Sequence, residues 1–400
     1  MVEPFKGAEA SMNFELTDEQ KHIRHTVRKF VEDELIPLEQ QLLSNEREGR
    51  EGISRQQLKA LQIKARGLGL WGIETPEQYG GANLGTVTSA IVKMELGRTC
   101  VPFVLGGEAD NILFMCNEKQ MERYLYPVIS GDRQSCFALT ERSAGSDANN
   151  IQMSAKRTVG GWILNGEKVF ITNGNEADFA IVFAVTNSVP GKNKGITCFL
   201  VDREMGWTSE PIPTMGGDKS PSLLTFDRVL VPDENVLGEV DQGLAMAMQW
   251  ISRGRWVIPA IAVGASERLL KMAIVYANER VTFGEALASR QSIQWMIADS
   301  AVEIEALKWL VLYTAWRVEQ QLDARHHASM SKLYGAGVAN QVVDRVLQIF
   351  GGMGYSKDLP IERWYREMRV WRIYEGTDEI QRLIISRNLL KGNIRVGEWD

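Results

Sequence analysis

In the stretch VWRIYEGTDEIQR, residues 370–382, one carboxylate stands in apolar company. Glu375 follows Trp371, Ile373 and Tyr374 and precedes Gly376. A carboxylate in a dry pocket has a raised pKa and is a stronger base than one in water. A plainer reading competes with this one. Gly376 breaks the chain, Thr377 caps a final helix, and Asp378 and Glu379 favour the positive end of that helix. Glu375 is then a solvated turn residue. Residue types and spacing leave both readings open.

Other stretches offer binding chemistry. LTERSAGSD (139–147) sets Thr140, Ser143, Ser146 and Asp147 around Gly145 after an expected strand. Hydroxyls and backbone N–H groups in such a loop can hold an anion or a heterocycle, or form a polar turn. The loop is not GxGxxG and no βαβ unit surrounds it, which argues against a nicotinamide Rossmann site. In FITNG (170–174), Phe170 and Thr172 fall two apart, hence on one strand face, suited to a flat polar ring or to a half-buried sheet. QIFGGMGY (348–355) has three glycines in four residues, either a helix C-cap or a place where backbone approaches a phosphate. RVTFG (280–284) offers Arg280 and Thr282 at a helix end, a cap or an anion contact.

The elements that must carry these residues change period twice along the chain. Up to about residue 133 the pattern is helical. Thr17 and Gln20 form a capping box before Ile23, Val27, Phe30 and Val31, and Pro37 is expected to end that helix. Helices are expected over 87–97 and 118–129 as well. From 136 to 238 the pattern is that of strands at 179–186, 195–202 and 223–232, with Asn165-Gly166 reading as a hairpin turn. From Gln242 helices return. One runs to Arg280 with a kink expected at Pro259, a second covers 292–321, a third stops at Gly351-Gly352, and a last carries Ile380, Leu383, Ile384 and Leu390. The reading is an α+β multidomain chain. An N-terminal helical domain spans 12–133, a middle β domain, barrel or sandwich, spans 134–240, and a C-terminal helical domain spans 241–395. The two helical sections are expected to pack as one body.

Composition sets outer limits. A chain of 400 residues, 44% hydrophobic and 24% charged, suits two or three globular domains. The net charge of −6 gives no basic footprint for nucleic acid. Cys100, Cys116, Cys136 and Cys198 form no zinc-type pair, and their sparse scatter suits a reducing compartment. His22/His25 and His326/His327 read as solvated helix surface, so no metal is expected. No apolar run approaches the ~20 residues of a membrane helix. Residues 1–12 carry Glu3 and Glu9 and no signal or transit pattern, so the expected location is cytoplasmic.

Taken together, CFALTERSAGSD, LNGEKVFITNG, LTFDRVLVPDENVLG, ERVTFG, QIFGGMGY and RIYEGTDEIQR, in this order within an α–β–α chain, resemble the acyl-CoA dehydrogenase flavoenzymes. The likeness runs from about Leu16 to Leu390. It implies a β-barrel-like middle domain, a C-terminal four-helix bundle and an FAD extended between them. It implies that Leu139, Thr140, Phe170 and Thr172 surround the flavin ring, that Ser146 lies near cofactor and pantetheine arm, and that Thr377 and Glu379 reach other parts of FAD. Arg280, Phe283, Gln291, Gln348 and Gly352 match residues lent to a neighbouring subunit's FAD, which implies a homo-oligomer, usually a tetramer.

By the same likeness Glu375 falls on the catalytic base. It would remove the α-proton of an acyl-CoA thioester while the β-hydrogen leaves as hydride to flavin N5. Tyr374 and Gly376, which flank it, belong to the substrate site with Arg255 and Ser252. Some relatives supply the base from another helix; here that region, WISRGRW (250–256), has no acid. The sequence departs from the pattern in two places. Ser252 stands where many members have an acid that binds pantetheine, and Arg142 replaces a proline usual in the TEP motif. The implied electron acceptor is an electron-transferring flavoprotein. The rivals are an oxidase-type flavin reaction on the same fold, and a non-catalytic binding member like the DNA-associated one. Nitroalkane oxidases carry Asp at the base position, and the net charge of −6 argues against the DNA binder.

Overall fold

Thr17 opens the first helix as its capping box requires: its hydroxyl accepts from the Gln20 backbone N–H at 3.1 Å, and Gln20 Oε1 accepts from Thr17 N–H at 3.0 Å. The computed structural model describes residues 15–188, 194–216 and 221–397, the side chains of Gln249, Ser252 and Arg253 excepted. Helices α1 (Asp18–Phe30), α2 (Glu39–Arg47), α3 (Arg55–Gly67), α4 (Thr86–Leu96), α5 (Glu118–Gln120) and α6 (Tyr126–Ser130) come first. Strands β1 (Ser135–Ala138), β2 (Ser154–Thr158), β3 (Gly161–Ile171), β4 (Phe179–Asn187), β5 (Gly195–Asp202), β6 (Thr208–Pro211), β7 (Ser222–Pro232) and β8 (Val236–Leu237) follow. The chain then forms α7 (Gly243–Glu279), the short strands β9 (Val281–Thr282) and β10 (Glu285–Ala286), α8 (Gln291–Glu319), α9 (Arg325–Phe350), α10 (Gly352–Tyr355), α11 (Pro360–Val370) and α12 (Asp378–Leu390).

Two local expectations are corrected. Pro37 does not end the first helical run. A π turn at Val31–Leu35 and a 3-10 turn at Ile36–Leu38 carry the chain on into α2, and Pro37 sits in the first positions of that tight turn, where its missing N–H is not needed. Nor is Asn165-Gly166 a hairpin turn. Both lie inside β3, where the pairing with β7 slips between Leu164 and Gly166 as a bulge. A Cβ at Gly166 would stand 2.9 Å from the Met153 side chain, so the glycine serves close packing. The β2–β3 turn is at Val159-Gly160, with Gly160 at φ 75°.

The strands hydrogen-bond as one mixed eight-stranded sheet in the order β6-β7-β3-β2-β4-β5-β8, with β1 parallel to β4. The alternation along β4 divides two cores. Phe179, Ile181 and Phe183 pack with Ile112, Leu113 and Leu125 of the N-terminal section and with Met246 and Ala247 of α7. Ala180, Val182 and Ala184 pack with Trp162, Phe199 and Phe226 of the sheet itself. The helical sections share a third core, which joins Val27, Val31 and Ala90 to Val263, Leu307, Val342 and Val346. The two sections are therefore one packed body, as their patterning implied. Pro259 lies inside α7, which stays helical through it, and Gly335 of α9 leaves room for its ring.

The histidines of α9 also differ from expectation. His326 is buried and His327 half-buried; the two rings meet edge to face, and His327 also meets Tyr313 of α8 edge to face. Burial holds both below the ordinary histidine range, His327 at about 4. His22 and His25 are exposed as expected. Among the described residues no group of His, Cys, Asp and Glu could hold a metal ion, and no helix is long and apolar enough to cross a membrane.

Candidate active site

The segment between α11 and α12 is a closed loop. Asp378 N–H donates to Arg372 O at 3.1 Å, and Arg372 Nε donates to Asp378 Oδ2 at 2.7 Å. Thr377 caps α12 by accepting from Ile380 N–H at 3.3 Å. Gly376 has φ 88°, which costs a glycine little. Glu375 has φ 55°, a left-handed conformation that costs a side-chain-bearing residue ~1–2 kcal/mol. Buried donors hold it there. Gln381 Nε2 donates to Glu375 O at 3.1 Å and to Gly376 O at 2.9 Å, and Lys332 Nζ donates to Gly376 O at 2.6 Å. Lys332 and Gln381 are both 0% exposed.

This backbone turns the Glu375 side chain inward, onto Gly254 of α7. A Cβ built on Gly254 would lie 2.9 Å from both Cδ and Oε2 of Glu375. Oε2 is buried and has no hydrogen-bond partner. Burial pushes the carboxyl up to about 7; Arg255 and Lys332 pull it down less strongly, and Asp110 adds a small upward push. Burial likewise holds the Arg255 guanidinium below its ordinary value, against the attraction of Glu375. Arg255 Nε, too, is buried without a partner. The solvated-turn reading of Glu375 does not hold: the residue as a whole is half-buried, but Oε2 is withdrawn from solvent and makes no hydrogen bond.

One turn before Gly254, Trp250 stacks on Phe137 with ring centroids 3.9 Å apart, and its Nε1 donates to Asp110 Oδ1 at 2.8 Å. Ser135 Oγ donates to Asp110 Oδ2 at 2.7 Å. From Phe137 the chain leaves β1 for Leu139 and Thr140. Their position is set by a buried ion pair. Lys168 Nζ donates to Leu139 O at 2.9 Å and to Glu141 Oε1 at 2.8 Å, while Glu141 accepts from Gln152 N–H and Met153 N–H at 2.6 and 3.0 Å. Burial lowers Lys168 to about 8, opposed by Glu141.

Val169 N–H donates to Thr140 O at 2.9 Å, which brings Thr140 beside Phe170. Phe170 has φ 57° and is 61% exposed. Thr172 is exposed beyond it, and the hydroxyls of Thr140 and Thr172 have no protein partner among the described residues. Phe170 and Thr172 therefore stand on an open edge, with half-buried Thr140 beside Phe170 and Leu139 buried next to it. The slip in β3–β7 pairing between Lys168 and Ile171, not simple strand alternation, exposes Phe170. Ser146 is exposed on the adjoining loop, Glu379 is exposed on the first turn of α12, and Tyr374, next to Glu375, is 40% exposed as a residue. Hydrogen bonds from the Glu379 backbone N–H and the Thr377 hydroxyl hold the Glu379 carboxyl below its ordinary range. The Ser252 side chain lies outside the described residues.

A second group gathers far away. Tyr276 of α7 stacks on Phe350 of α9 at 4.1 Å, which places Arg280 near Gln348 and Gly352 at one end of the bundle. Phe283 is 99% exposed with φ 52°, and Arg280, Gln291 and Gln348 are exposed. Arg280 forms no ion pair among the described residues. The 26 residues from Gly254 to Arg280 along α7 correspond to about 39 Å. These residues lie too far from Gly254 to act on the Glu375 carboxylate beside it.

Lys332, Gln381, Gly254 and Asp110 were not singled out from the sequence. Lys332 alone left a signal there: it is the lone charge in ASMSKLYGAG, a small-residue run that helix packing buries.

Residues 17–132, 136–229 and 241–390 match, in turn, the N-terminal, middle and C-terminal domains of acyl-CoA dehydrogenase. The chain belongs to the acyl-CoA dehydrogenase family. It is 33% identical to the short-chain specific acyl-CoA dehydrogenase of Clostridium acetobutylicum, over 95% of this chain and 100% of that protein. A chain in the solved structure of the electron transferring flavoprotein of Acidaminococcus fermentans aligns with a TM-score of 0.84 at 34% identity, covering 95% of this chain and 100% of that one. Butyryl-CoA dehydrogenase from Megasphaera elsdenii aligns with a TM-score of 0.84 at 32% identity, again covering 95% and 100%.

The cofactor of this family member is FAD. The residues present fit it. The open edge offers an exposed aromatic ring and two unpaired hydroxyls, as a flat polar heterocycle requires, and the far end of the bundle offers an unpaired arginine for an anionic group.

Proposed function

We propose that Glu375 is the base that removes the α-proton of the acyl-CoA thioester, with Oε2 as the accepting atom. The overall reaction, FAD-dependent dehydrogenation of an acyl-CoA, follows from family membership. The base assignment is carried by one observation: Oε2 of Glu375 is buried, has no hydrogen-bond partner and belongs to a carboxyl pushed up to about 7. Such a group is ionised in good part at neutral pH and still binds a proton firmly, the balance that general-base catalysis needs. FAD, when bound, supplies the hydride acceptor for the β-hydrogen.

The chain's own residues do the rest. The αL backbone at Glu375 and the glycine at 254 aim and admit the carboxylate. Arg255 keeps a positive charge nearby, which favours the ionised base. Leu139, Thr140, Phe170 and Thr172 form the edge for the ring system, with Ser146, Thr377 and Glu379 on its surroundings. Tyr374, Gly376, Arg255 and Ser252 belong to the thioester side. Arg280, Phe283, Gln291, Gln348 and Gly352 serve the FAD of a second copy, so the active form is a homo-oligomer, a tetramer in this reading. Their exposure and their distance from Glu375 support that assignment. The short-chain relative and the butyryl-CoA dehydrogenase support a short acyl chain, and the electron transferring flavoprotein structure supports such a flavoprotein as electron acceptor.

Glu375→Gln tests the base. It keeps the shape of the side chain and removes the proton acceptor. Mixed anaerobically with butyryl-CoA, the variant is expected to perturb its flavin spectrum on binding yet stay yellow, with bleaching slowed by at least ~10²–10⁴-fold. Rapid bleaching in this variant would place the base elsewhere.

A further inference from the structure

Lys332 lies on α9 and is fully buried, which is costly for an ammonium that has no paired anion. No carboxylate touches it among the described residues. Its hydrogen-bond partner is the Gly376 carbonyl, at 2.6 Å. A methionine would fill similar volume without the desolvation cost, so packing does not explain the charge. The carbonyl it holds belongs to the residue directly after Glu375, and Gln381 Nε2, a neutral donor, already reaches that oxygen at 2.9 Å. What Lys332 adds is charge and a second anchor on a backbone turned into the left-handed region at Glu375, φ 55°.

We propose that Lys332 is a positioning residue for the base: its ammonium pins the Gly376 carbonyl, fixing where the Glu375 carboxylate stands and how firmly that carboxylate holds a proton. The proposal rests on the reading of Glu375 as the base. Charges on every neighbouring element enter the balance. Glu375 faces Arg255 from α7, Lys332 from α9 and Asp110 from the segment between α4 and α5. Lys332 in turn feels Asp378 and Glu379 of α12 as well as Glu375 and Arg255, and burial leaves it at about 8. Asp378 is the foremost of these charges, but its Oδ2 is engaged by Arg372 and no carboxylate oxygen forms an ion pair with Lys332 among the described residues.

The sign follows directly. A nearby cation favours the ionised carboxylate, so removing the charge of Lys332 raises the pKa of Glu375 further above its ordinary value. The base works as the carboxylate, so the rate falls as pH drops through that pKa. Loss of Lys332 therefore moves the acid limb of the rate profile to higher pH.

Two variants separate charge from anchor. Lys332→Gln keeps an N–H donor and loses the charge; Lys332→Met loses both. Two readouts are taken on the purified, FAD-loaded protein: the pH dependence of anaerobic flavin bleaching by butyryl-CoA, and the infrared titration of the Glu375 carboxyl band, with Glu375→Gln as the blank. The band needs no turnover. Both variants are expected to shift limb and band upward by about one pH unit. Above the limb, Lys332→Gln is expected to recover most of the parental rate, whereas Lys332→Met stays about 10-fold or more slower because the loop has lost its anchor. Should Lys332→Met fail to fold, Lys332→Gln alone decides the role of the charge. An unmoved limb and band, beside a Glu375→Gln enzyme that stays yellow, would overturn the role of Lys332 alone. A Glu375→Gln enzyme that bleaches at the parental rate would overturn the base assignment and the role built on it.

Discussion

Gly254 occupies the interior of α7, where alanine is favoured over glycine by about 1 kcal/mol. The space beside it is filled by a single side chain. The three heavy atoms nearest an added Cβ are Glu375 Cδ and Oε2 at 2.9 Å and Cγ at 3.0 Å. Comfortable contact between carbon atoms begins near ~3.5 Å, so the carboxylate must retreat by roughly 0.5–1 Å. Its backbone cannot follow, because Lys332 and Gln381 pin the carbonyls of residues 375 and 376. The movement falls on the side-chain torsions, at ~0.5–1.5 kcal/mol. Helix propensity and torsional cost nearly cancel, so Gly254→Ala is expected to leave the unfolding free energy measured in urea within about 1 kcal/mol of the parent. The chemistry has no such compensation. A reacting group displaced by ~1 Å loses on the order of 10²-fold in rate. Anaerobic bleaching with butyryl-CoA, followed alongside urea unfolding, is the assay. Parental bleaching at unchanged stability would refute the claim that Gly254 sets the position of the base. A loss of several kcal/mol would refute the claim that the space belongs to Glu375 alone.

Two further changes test the edges of the site. Lys168→Met leaves Glu141 buried with backbone donors but without its cation; urea unfolding should show a loss of ~3–5 kcal/mol, and adding Glu141→Gln should return part of it. No loss would mean that the pair is not needed to hold the strand end at Leu139. Arg280→Ala should weaken FAD retention and oligomer assembly together, because a ligand spanning two subunits stabilises their association. A variant that keeps full FAD in an unchanged oligomer, by absorbance and sedimentation, would remove Arg280 from the shared site.

Where local chemistry fixes local structure, the reading from sequence was accurate. The capping box at Thr17, the cap at Thr377, the helix ending at Gly351 and the apolar strands 179–186 and 195–202 all depend on interactions within a few residues. Asn165-Gly166 failed because the same dipeptide that favours a turn also permits a bulge, and the choice depends on Met153 and β7 across the sheet. Pro37 failed because a preceding π turn re-registers the backbone before the proline is reached. His326 and His327 failed because polar residues in a helix read as surface until the packing partner, for His327 the Tyr313 ring on α8, is known.

The sequence by itself determined the order of helical, β and helical sections, the helix caps around Glu375, and the residue types able to bind a flavin. It left Glu375 suspended between a solvated turn and a base, because the pKa of a carboxylate depends on what surrounds it in space. Only the tertiary structure shows the setting that the proposed base needs: Oε2 withdrawn from solvent and a carboxyl pushed up to about 7. Residue 375 is 121 positions from Gly254, 43 from Lys332 and 265 from Asp110, yet all three act on one carboxyl group. Desolvation and charge act through space and fall off over a few ångströms, so no pattern of neighbours along the chain encodes them. Packing α7, α9 and the segment between α4 and α5 around the loop takes the Glu375 side chain out of water and sets the charges that face it.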